Sequence, residues 1–196
     1  MKDVEWGPVP VWVGAIASFL AVAVALLGGT GWFARLQRPV LRLSFESGQP
    51  WCRGVSADPS GEKDVLWVRI AVENHGSDPA KGCIGRLIGL ATNGTMRADI
   101  DPVQLRWAGV PRSRSFEPID LRRGQTDFLN VVYRPGGRDW LIDTFGGDDF
   151  DPGFETHLRA DQSHHLRIAV FADNADTRSL SLSLEVGPDG PRISRT

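Results

Sequence analysis

The longest apolar run of the chain lies near its N-terminus. No charged residue occurs from Trp6 to Ala34, and the stretch from Val9 to Leu27 reads VPVWVGAIASFLAVAVALL. A helix of that length, at about 1.5 Å per residue, spans about 28 Å, which matches the hydrocarbon core of a bilayer. We therefore predict a transmembrane helix over residues 9–33, preceded by a leader at residues 1–8 and followed by a juxtamembrane linker at residues 34–39.

A cleavable signal peptide is the alternative interpretation of this segment, because the small residues GGTG follow the apolar run. The leader MKDVEW carries two acids against one lysine, whereas a signal peptide begins with a basic leader. Arg35, Arg38 and Arg42 follow the apolar run, against Lys2 before it. Since positive charge is enriched on the cytoplasmic side, the flanks predict a cytoplasmic C-terminal domain.

Small residues recur every four positions within the predicted helix, at Ala17, Ala21, Ala25 and Gly29. They fall on one helical face, where a second helix can approach closely. The stripe is compatible with a homodimer through this helix, in addition to contact between residues 9–33 and the lipid bilayer, but it does not require one. The alternative is that Ala and Gly are simply common in such segments.

After Pro39 the apolar residues recur with a period of two, as in VLRLSF, VLWVRIAVEN, HLRIAVFAD and SLSLSLEV. This alternation is typical of half-buried strands, and Gly, Pro, Asn and Asp clusters separate the segments. The pattern predicts an all-β domain at residues 40–187, a two-sheet sandwich of seven to eight strands that ends in a hairpin, with a flexible tail at residues 188–196. A closed barrel is the alternative.

Charge and cysteine content narrow the classes of function. The chain holds 22 basic and 24 acidic residues, a net charge of -2, so it has no general attraction for a phosphate backbone, and we expect no nucleic-acid partner. Cys52 and Cys83 lack the paired spacing of a zinc site. They form either one disulfide bridge or two buried thiols. No cofactor motif is present, and we expect no cofactor.

The stretch VENHGSDPAKGCIGRL, from Val72 to Leu87, contains a histidine, an acid and a thiol. It also contains the residues that build a turn between strands, and we predict that Asn74, Gly76, Pro79 and Gly82 are structural turn residues. The prediction is a strand from Val65 to Asn74, a turn, and a return strand.

His75, Asp78 and Cys83 are the alternative interpretation of this stretch, a catalytic group. Linear spacing does not establish the geometry that such a group needs, and we predict no catalytic residue. His164 and His165 are adjacent on a predicted strand, so they point to opposite faces and do not share a substrate.

Acidic residues are dense between Asp143 and Asp161, whereas Pro111 to Arg123 is rich in arginine. Carboxylates in a Gly-containing loop suit a hard cation, but the spacing is not that of an EF-hand, and we predict no metal site. The candidate ligands, if the loop does bind a cation, are Asp149, Asp151 and Glu155. The alternative function is a metal-assisted hydrolase that uses loop 143–157 and His157.

One family resemblance rests on the stretch from Val68 to Leu90. Its order of apolar strand, Asn-x-Gly, polar residues and Ala before another strand resembles the bacterial and archaeal CARDB-like, immunoglobulin-like β-sandwich modules, with matches at Asn74, Gly76 and Ala80. The segment IDLRRGQTDFLNVV and the final hairpin match more loosely. The resemblance implies an immunoglobulin-like fold and a non-catalytic binding module, and it transfers no functional residue.

These patterns together predict a single-pass, membrane-anchored module that binds an unidentified protein partner at the membrane surface. An envelope or adhesion module, with the domain outside, is the alternative if the topology is reversed.

Overall fold

A computed structural model describes residues 9–29, 37–55, 65–96, 102–135, 139–144, 157–159, 161–187 and 190–195. The chain divides into two compact units, Met1–Arg38 and Pro39–Thr196. Each unit is described separately below.

The first unit contains one helix, α1, at Val9–Gly29. It lies within the predicted range of 9–33, and its described side chains run from Trp12 to Leu26. Its large apolar side chains are between 53% and 75% exposed, and they are Trp12, Val13, Ile16, Phe19, Leu20, Val22, Val24 and Leu26. Among the described residues no helix combines the length and the apolar character that a membrane crossing needs, so the transmembrane part of the prediction is not found.

The second unit is built from short and long strands. The strands of sheet I are β1 (Leu41–Ser44), β2 (Cys52–Val55), β3 (Val65–Asn74), β8 (Thr126–Pro135), β9 (Trp140–Ile142) and β10 (His157–Leu158). The strands of sheet II are β4 (Ala80–Thr92), β5 (Thr95–Met96), β6 (Val103–Gln104), β7 (Ile119–Leu121), β11 (His164–Ala172), β12 (Ala175–Gly187) and β13 (Gly190–Arg195). A short 3-10 helix, Arg112–Arg114, precedes β7.

Both sheets are antiparallel. Sheet I has the order β1-β3-β8-β9-β10, and β2 also pairs with β3. Sheet II has the order β13-β12-β11-β4-β5, and β6 and β7 also pair with β4. The all-β prediction is therefore confirmed, and two antiparallel sheets form the β-sandwich.

The core lies between the two sheets. Val68, Ile70 and Leu129 of sheet I and Leu87 and Ile168 of sheet II belong to one cluster of buried side chains. In a strand, alternate side chains face the same side, and this is why the period-two pattern of the sequence places them together.

The strands are more numerous than the seven to eight that the sequence predicts. The additional strands are short, such as the two residues of β5, β6 and β10. Two residues are too few to show an alternating pattern, which requires four or more positions. Only their pairing with long strands defines them.

The segment after β6 joins the two sheets along one side of the sandwich. Leu105 donates its backbone N–H to the carbonyl of Gly85 in β4 at 2.9 Å. Trp107 then forms an antiparallel bridge with Leu129 in β8. The chain thus passes from sheet II to sheet I within three residues, and its backbone pairs with both.

The C-terminal residues differ from the predicted tail at 188–196. Gly190–Arg195 forms β13, which pairs along β12 from Gly187 to Leu182. Ile193 lies opposite Leu184 and packs against the core. The segment PRISR contains a single apolar residue, and a pattern needs more than one such position to be recognised in the sequence.

Gly85 of sheet II packs directly against Leu129 of sheet I, and replacing it by alanine should destabilise the fold. A Cβ at this position overlaps the methyl groups of Leu129 and lies 2.9 Å from its Cγ, and Leu129 is fully buried. Overpacking of this kind costs about 1–3 kcal/mol, which urea unfolding measures as a lower midpoint.

Gly89→Ala, in the same strand, is the matched control, because its Cβ has one neighbour, Arg167 Cβ at 3.4 Å. We expect a change below about 0.5 kcal/mol for this variant, because 3.4 Å is an ordinary van der Waals distance. Equal destabilisation by both variants would show that contact with Leu129 is not what requires glycine at position 85.

Candidate functional site

The side chain of Asn74 is the centre of the loop that the sequence marks as chemically interesting. Its Oδ1 accepts hydrogen bonds from the backbone N–H of Val40 at 3.2 Å and of Gly76 at 2.9 Å. Its Nδ2 donates to the carbonyls of Asp78 at 2.7 Å and Leu121 at 3.0 Å. Both lone pairs and both N–H groups of the amide are therefore used, and Asn74 is fully buried.

The backbone of Asn74 is bonded as well. Its N–H donates to Gln125 at 3.2 Å, and its carbonyl accepts from Gly124 at 2.7 Å. His75 donates its backbone N–H to the carbonyl of Val40 at 2.8 Å. One asparagine thus connects the entry to β1, its own turn, the end of β7 and the turn before β8.

The rest of the loop is held by the turn between β11 and β12. Asn174 accepts at Oδ1 from the N–H of Lys81 at 2.9 Å and donates from Nδ2 to the carbonyl of Pro79 at 3.0 Å. Gly82 has a positive φ of 61°, and a Cβ there lies 2.8 Å from Asp173 Cγ. Gly82 lies in β4, at a β-bulge between Ala80 and Cys83, and not in the predicted turn, and its positive φ requires glycine there.

His75 and Cys83, two of the reactive-looking residues of the loop, have partners that do not belong to a catalytic group. His75 pairs through Nε2 with the carboxylate of Glu73 at 2.9 Å, and its side chain is partly exposed. Cys83 is fully buried, and its thiol lies 3.7 Å from the carbonyl of Ala80. The structure thus supplies no thiol–imidazole pair at this turn among the described contacts.

The environment of Cys83 also disfavours a thiolate. Desolvation by burial raises the pKa of the Cys83 thiol to about 11, and the negative charge of Asp120 adds to the shift. A nucleophilic cysteine needs the opposite shift, because the thiolate is the reactive form. Cys52 and Cys83 are both free thiols, so the disulfide alternative is wrong.

Asp143, the first residue of the predicted acidic loop, is buried in a polar cluster. Its Oδ2 accepts from Asn130 Nδ2 at 2.8 Å, and its Oδ1 lies 3.4 Å from Arg106 Nε. Asn130 Oδ1 in turn accepts from Arg69 Nε at 2.8 Å. These contacts tie β3, β8 and the segment after β6 together, so Asp143 is committed to the fold. No local pattern in the sequence predicts this cluster, because its members lie on different segments of the chain.

The candidate metal ligands Asp149, Asp151 and Glu155 lie outside the described residues. Within the part of the chain that the structure describes, no three His, Cys, Asp or Glu side chains are grouped to hold a metal ion.

His164 and His165 face opposite sides of sheet II, as the sequence predicts. His165 is exposed, and His164 is buried at 2% exposure. His164 Nε2 donates to the carbonyl of Arg159 at 2.9 Å, because a carbonyl oxygen only accepts. Nδ1 of the neutral ring then accepts from the Thr92 hydroxyl at 3.2 Å. Both ring nitrogens are occupied, so His164 is a structural residue.

A cavity of about 310 Å³ lies beside His164, at the end of the sandwich where β4 meets β5. Sequence reasoning considered its two histidines separately and did not predict that they share a cavity. Its lining residues are Thr92, Thr95, His157, Leu158, Arg159, Gln162 and His164.

The arginine-rich segment from Pro111 to Arg123 is partly used in local contacts. Arg114 forms an ion pair with Glu117 at 2.8 Å. Arg122 and Arg123 are exposed in the turn that bonds to Asn74. This turn and the loop after Asn74 therefore form one surface at the end of the sandwich where the chain enters β1.

The helix-packing candidates lie in α1. Ala17, Ala21 and Ala25 are exposed, and Gly29 is the last helical residue.

Comparison with protein-family models and with curated proteins gives no match. Among solved structures, the archaeal flagellum of Methanospirillum hungatei strain JF1 is similar over 94% of this chain and 96% of that chain, with 12% sequence identity and a TM-score of 0.36. A similarity at this level carries no conclusion about fold or function.

Asn74→Ala should destabilise the second unit by about 3 kcal/mol or more, because it leaves four backbone groups without partners in a buried site. Urea unfolding measures the change. Asn174→Ala is the matched control, because it removes two exposed hydrogen bonds, and we expect a loss of about 1 kcal/mol or less. Losses of similar size for the two variants would show that Asn74 is an ordinary turn residue.

The raised pKa of Cys83 predicts that stability falls in alkaline solution. The folded chain holds the thiol proton up to about pH 11, whereas the unfolded chain releases it near the ordinary value of 9.0. The unfolded state therefore binds fewer protons between these values, and the free energy of unfolding decreases as pH rises from 9.0 to about 11.

Urea midpoints across this pH range test the effect, with Cys83→Ala as the comparison. The decline should be smaller in Cys83→Ala than in the natural chain. Identical pH profiles for the two proteins would contradict the shifted pKa.

Proposed function

We propose that the protein is a single-pass, membrane-anchored and non-catalytic β-sandwich module, of immunoglobulin-like type, that binds a protein partner at the membrane surface. The observation that carries the proposal is the exposure of the large apolar side chains of α1 in a segment without charge.

The exposed side chains of α1 surround the helix. Successive residues of an α-helix are rotated by about 100°, so Phe19, Leu20, Val22 and Val24 point in different directions. A groove on a protein partner covers one face of a helix, whereas hydrocarbon covers all of them. Transfer of each large apolar side chain out of water is favourable by about 1.5–3 kcal/mol. The proposed environment of residues 9–33 is therefore the bilayer.

The non-catalytic part of the proposal is supported by how the chemically reactive residues are used. Cys83 is a buried thiol with a raised pKa, both ring nitrogens of His164 are bonded, and Asp143 is buried against Asn130 and Arg106. Groups whose polar atoms are all engaged within the fold do not act on a substrate.

The partner-binding surface that we propose is the entry end of the sandwich. Arg122 and Arg123 are exposed there, beside the exposed loop residues Ser77 and Asp78. Asn74 fixes both segments to each other, so their side chains are presented from a rigid backbone. Mixed charges on a fixed surface favour a protein partner with complementary charges.

Membrane attachment favours partner binding because it raises the local concentration of the module. Confining a module to a surface raises its concentration relative to a partner in the same membrane, which converts a weak contact into a populated complex. The CARDB-like resemblance of Val68 to Leu90 supports a binding module of this type. A homodimer through Ala17, Ala21, Ala25 and Gly29 is compatible with the same anchor.

Fractionation of cells that produce the full chain tests the anchor. We expect the protein to remain in the membrane pellet after an alkaline carbonate wash, and Phe19→Lys/Val22→Lys to move into the supernatant. A lysine at the centre of a membrane helix costs about 3 kcal/mol on the translocon scale, so two reverse most of the preference.

Met96→Lys is the control, since Met96 is 64% exposed in the sandwich and lies outside the helix. It should fractionate like the natural chain. Protease treatment of spheroplasts in the same experiment should leave the sandwich intact if it is cytoplasmic. Recovery of the natural chain in the carbonate supernatant would overturn the proposal.

A further inference from the structure

We propose that the cavity between the β4–β5 turn and β10 binds the phosphate group of a small solute. Its walls are fixed by hydrogen bonds, and the polar side chains that line it are cationic or neutral donors. The inference concerns the sandwich alone and is independent of the proposed membrane anchor.

The walls of the cavity are connected on two sides. The turn from Thr92 to Thr95 contains Asn93 with φ 49° and Gly94 with φ 77°, and Asn93 bonds to Ser163 in both directions. The Asn93 N–H donates to the Ser163 carbonyl at 2.8 Å, and the Ser163 N–H donates to Asn93 Oδ1 at 3.1 Å.

His164 provides the second connection. It joins the Thr92 hydroxyl to the Arg159 carbonyl, and it is almost fully buried. The β4–β5 turn, the residues before β11 and the residues after β10 are therefore held at fixed positions. A site whose backbone is already held in place loses less conformational entropy when a ligand binds, although the ligand must still order the exposed side chains of Thr95, His157 and Arg159.

Four lining side chains have no polar partner among the described residues. They are Thr95, His157, Arg159 and Gln162. Arg159 offers five N–H donors with a permanent positive charge, Gln162 offers an amide and Thr95 a hydroxyl. His157 contributes a ring nitrogen and is exposed.

The charge of this lining selects the class of ligand. No Asp or Glu is among the described residues that line the cavity, although Asp161 is exposed nearby in the chain. Arginine binds phosphate with parallel N–H···O hydrogen bonds, and threonine and glutamine donate to the remaining oxygens. A tetrahedral dianion with several acceptor oxygens fits this set of donors better than a neutral solute does.

The volume limits the size of the ligand. A cavity of about 310 Å³ is at the lower end of the range for small-molecule sites, so it accepts a phosphate group with a small organic part. Leu158 is the apolar residue of the lining.

The test is a titration of the isotopically labelled full chain in detergent micelles with inorganic phosphate at constant ionic strength. We expect saturable changes in the amide signals of Thr95 and Gln162, with a Kd of about 1 mM or below. Glycerol 1-phosphate should produce the same changes.

Arg159→Gln should weaken phosphate binding by at least about tenfold, because it removes the charged donor. Arg167→Gln and His165→Gln are the matched controls, since both residues are exposed in β11 and neither lines the cavity. His157→Gln should weaken binding less than Arg159→Gln does. Thermal unfolding of each variant checks that the fold is retained, which we expect because Arg159 holds His164 through its backbone carbonyl.

Three results would overturn the proposal. The first is a linear, unsaturated response up to about ten times the expected Kd. The second is equal weakening by Arg159→Gln and Arg167→Gln, which indicates attraction to surface charge. The third is a response of the full chain to vesicles that contain phosphatidic acid without any response to inorganic phosphate, which makes the ligand a lipid.

Discussion

The hydrogen bonds of the Asn74 amide hold one end of the sandwich together. Its Oδ1 accepts hydrogen bonds from Val40, the residue before β1, and from Gly76 in the turn. Its Nδ2 donates to the carbonyls of Asp78 in the same turn and of Leu121 at the end of β7. No other side chain can make the same four hydrogen bonds at position 74. Aspartate lacks the two N–H donors, leucine lacks every polar atom, and glutamine places the amide one methylene further from the strand. A buried backbone group without a partner is costly in free energy. The turn after β3, the residue before β1 and the end of β7 are therefore all held in place by this one side chain.

The sequence predicted the parts of this domain that are local and periodic. The strand Val65–Asn74 has the predicted bounds, and the turn after it contains Gly76 and Pro79, whereas Gly82 lies in β4 at a β-bulge. The partners of Asn74 lie 34 and 47 residues away, at Val40 and Leu121, and no local pattern encodes such contacts.

Contacts between residues on different strands explain what was missed at the candidate sites. Asp143 was predicted as part of an acidic loop, yet Asn130 and Arg106 surround it in the fold. His157 and His164 lie on different strands, and only the pairing of β9 with β10 and of β4 with β11 brings them to one cavity. The tail was predicted as flexible because one apolar residue, Ile193, is too little for a pattern.

The central claim is that the stretch from Val72 to Leu87 is a structural turn fixed by Asn74, and not a chemical site. Native-state hydrogen exchange of the Val40 and Gly76 amides tests it most directly, because both donate to Asn74 Oδ1. If the account is right, both amides exchange only with the global unfolding of the sandwich, as the core amides of Ile70 do. Exchange of Val40 and Gly76 through local opening, much faster than that of Ile70, would contradict it.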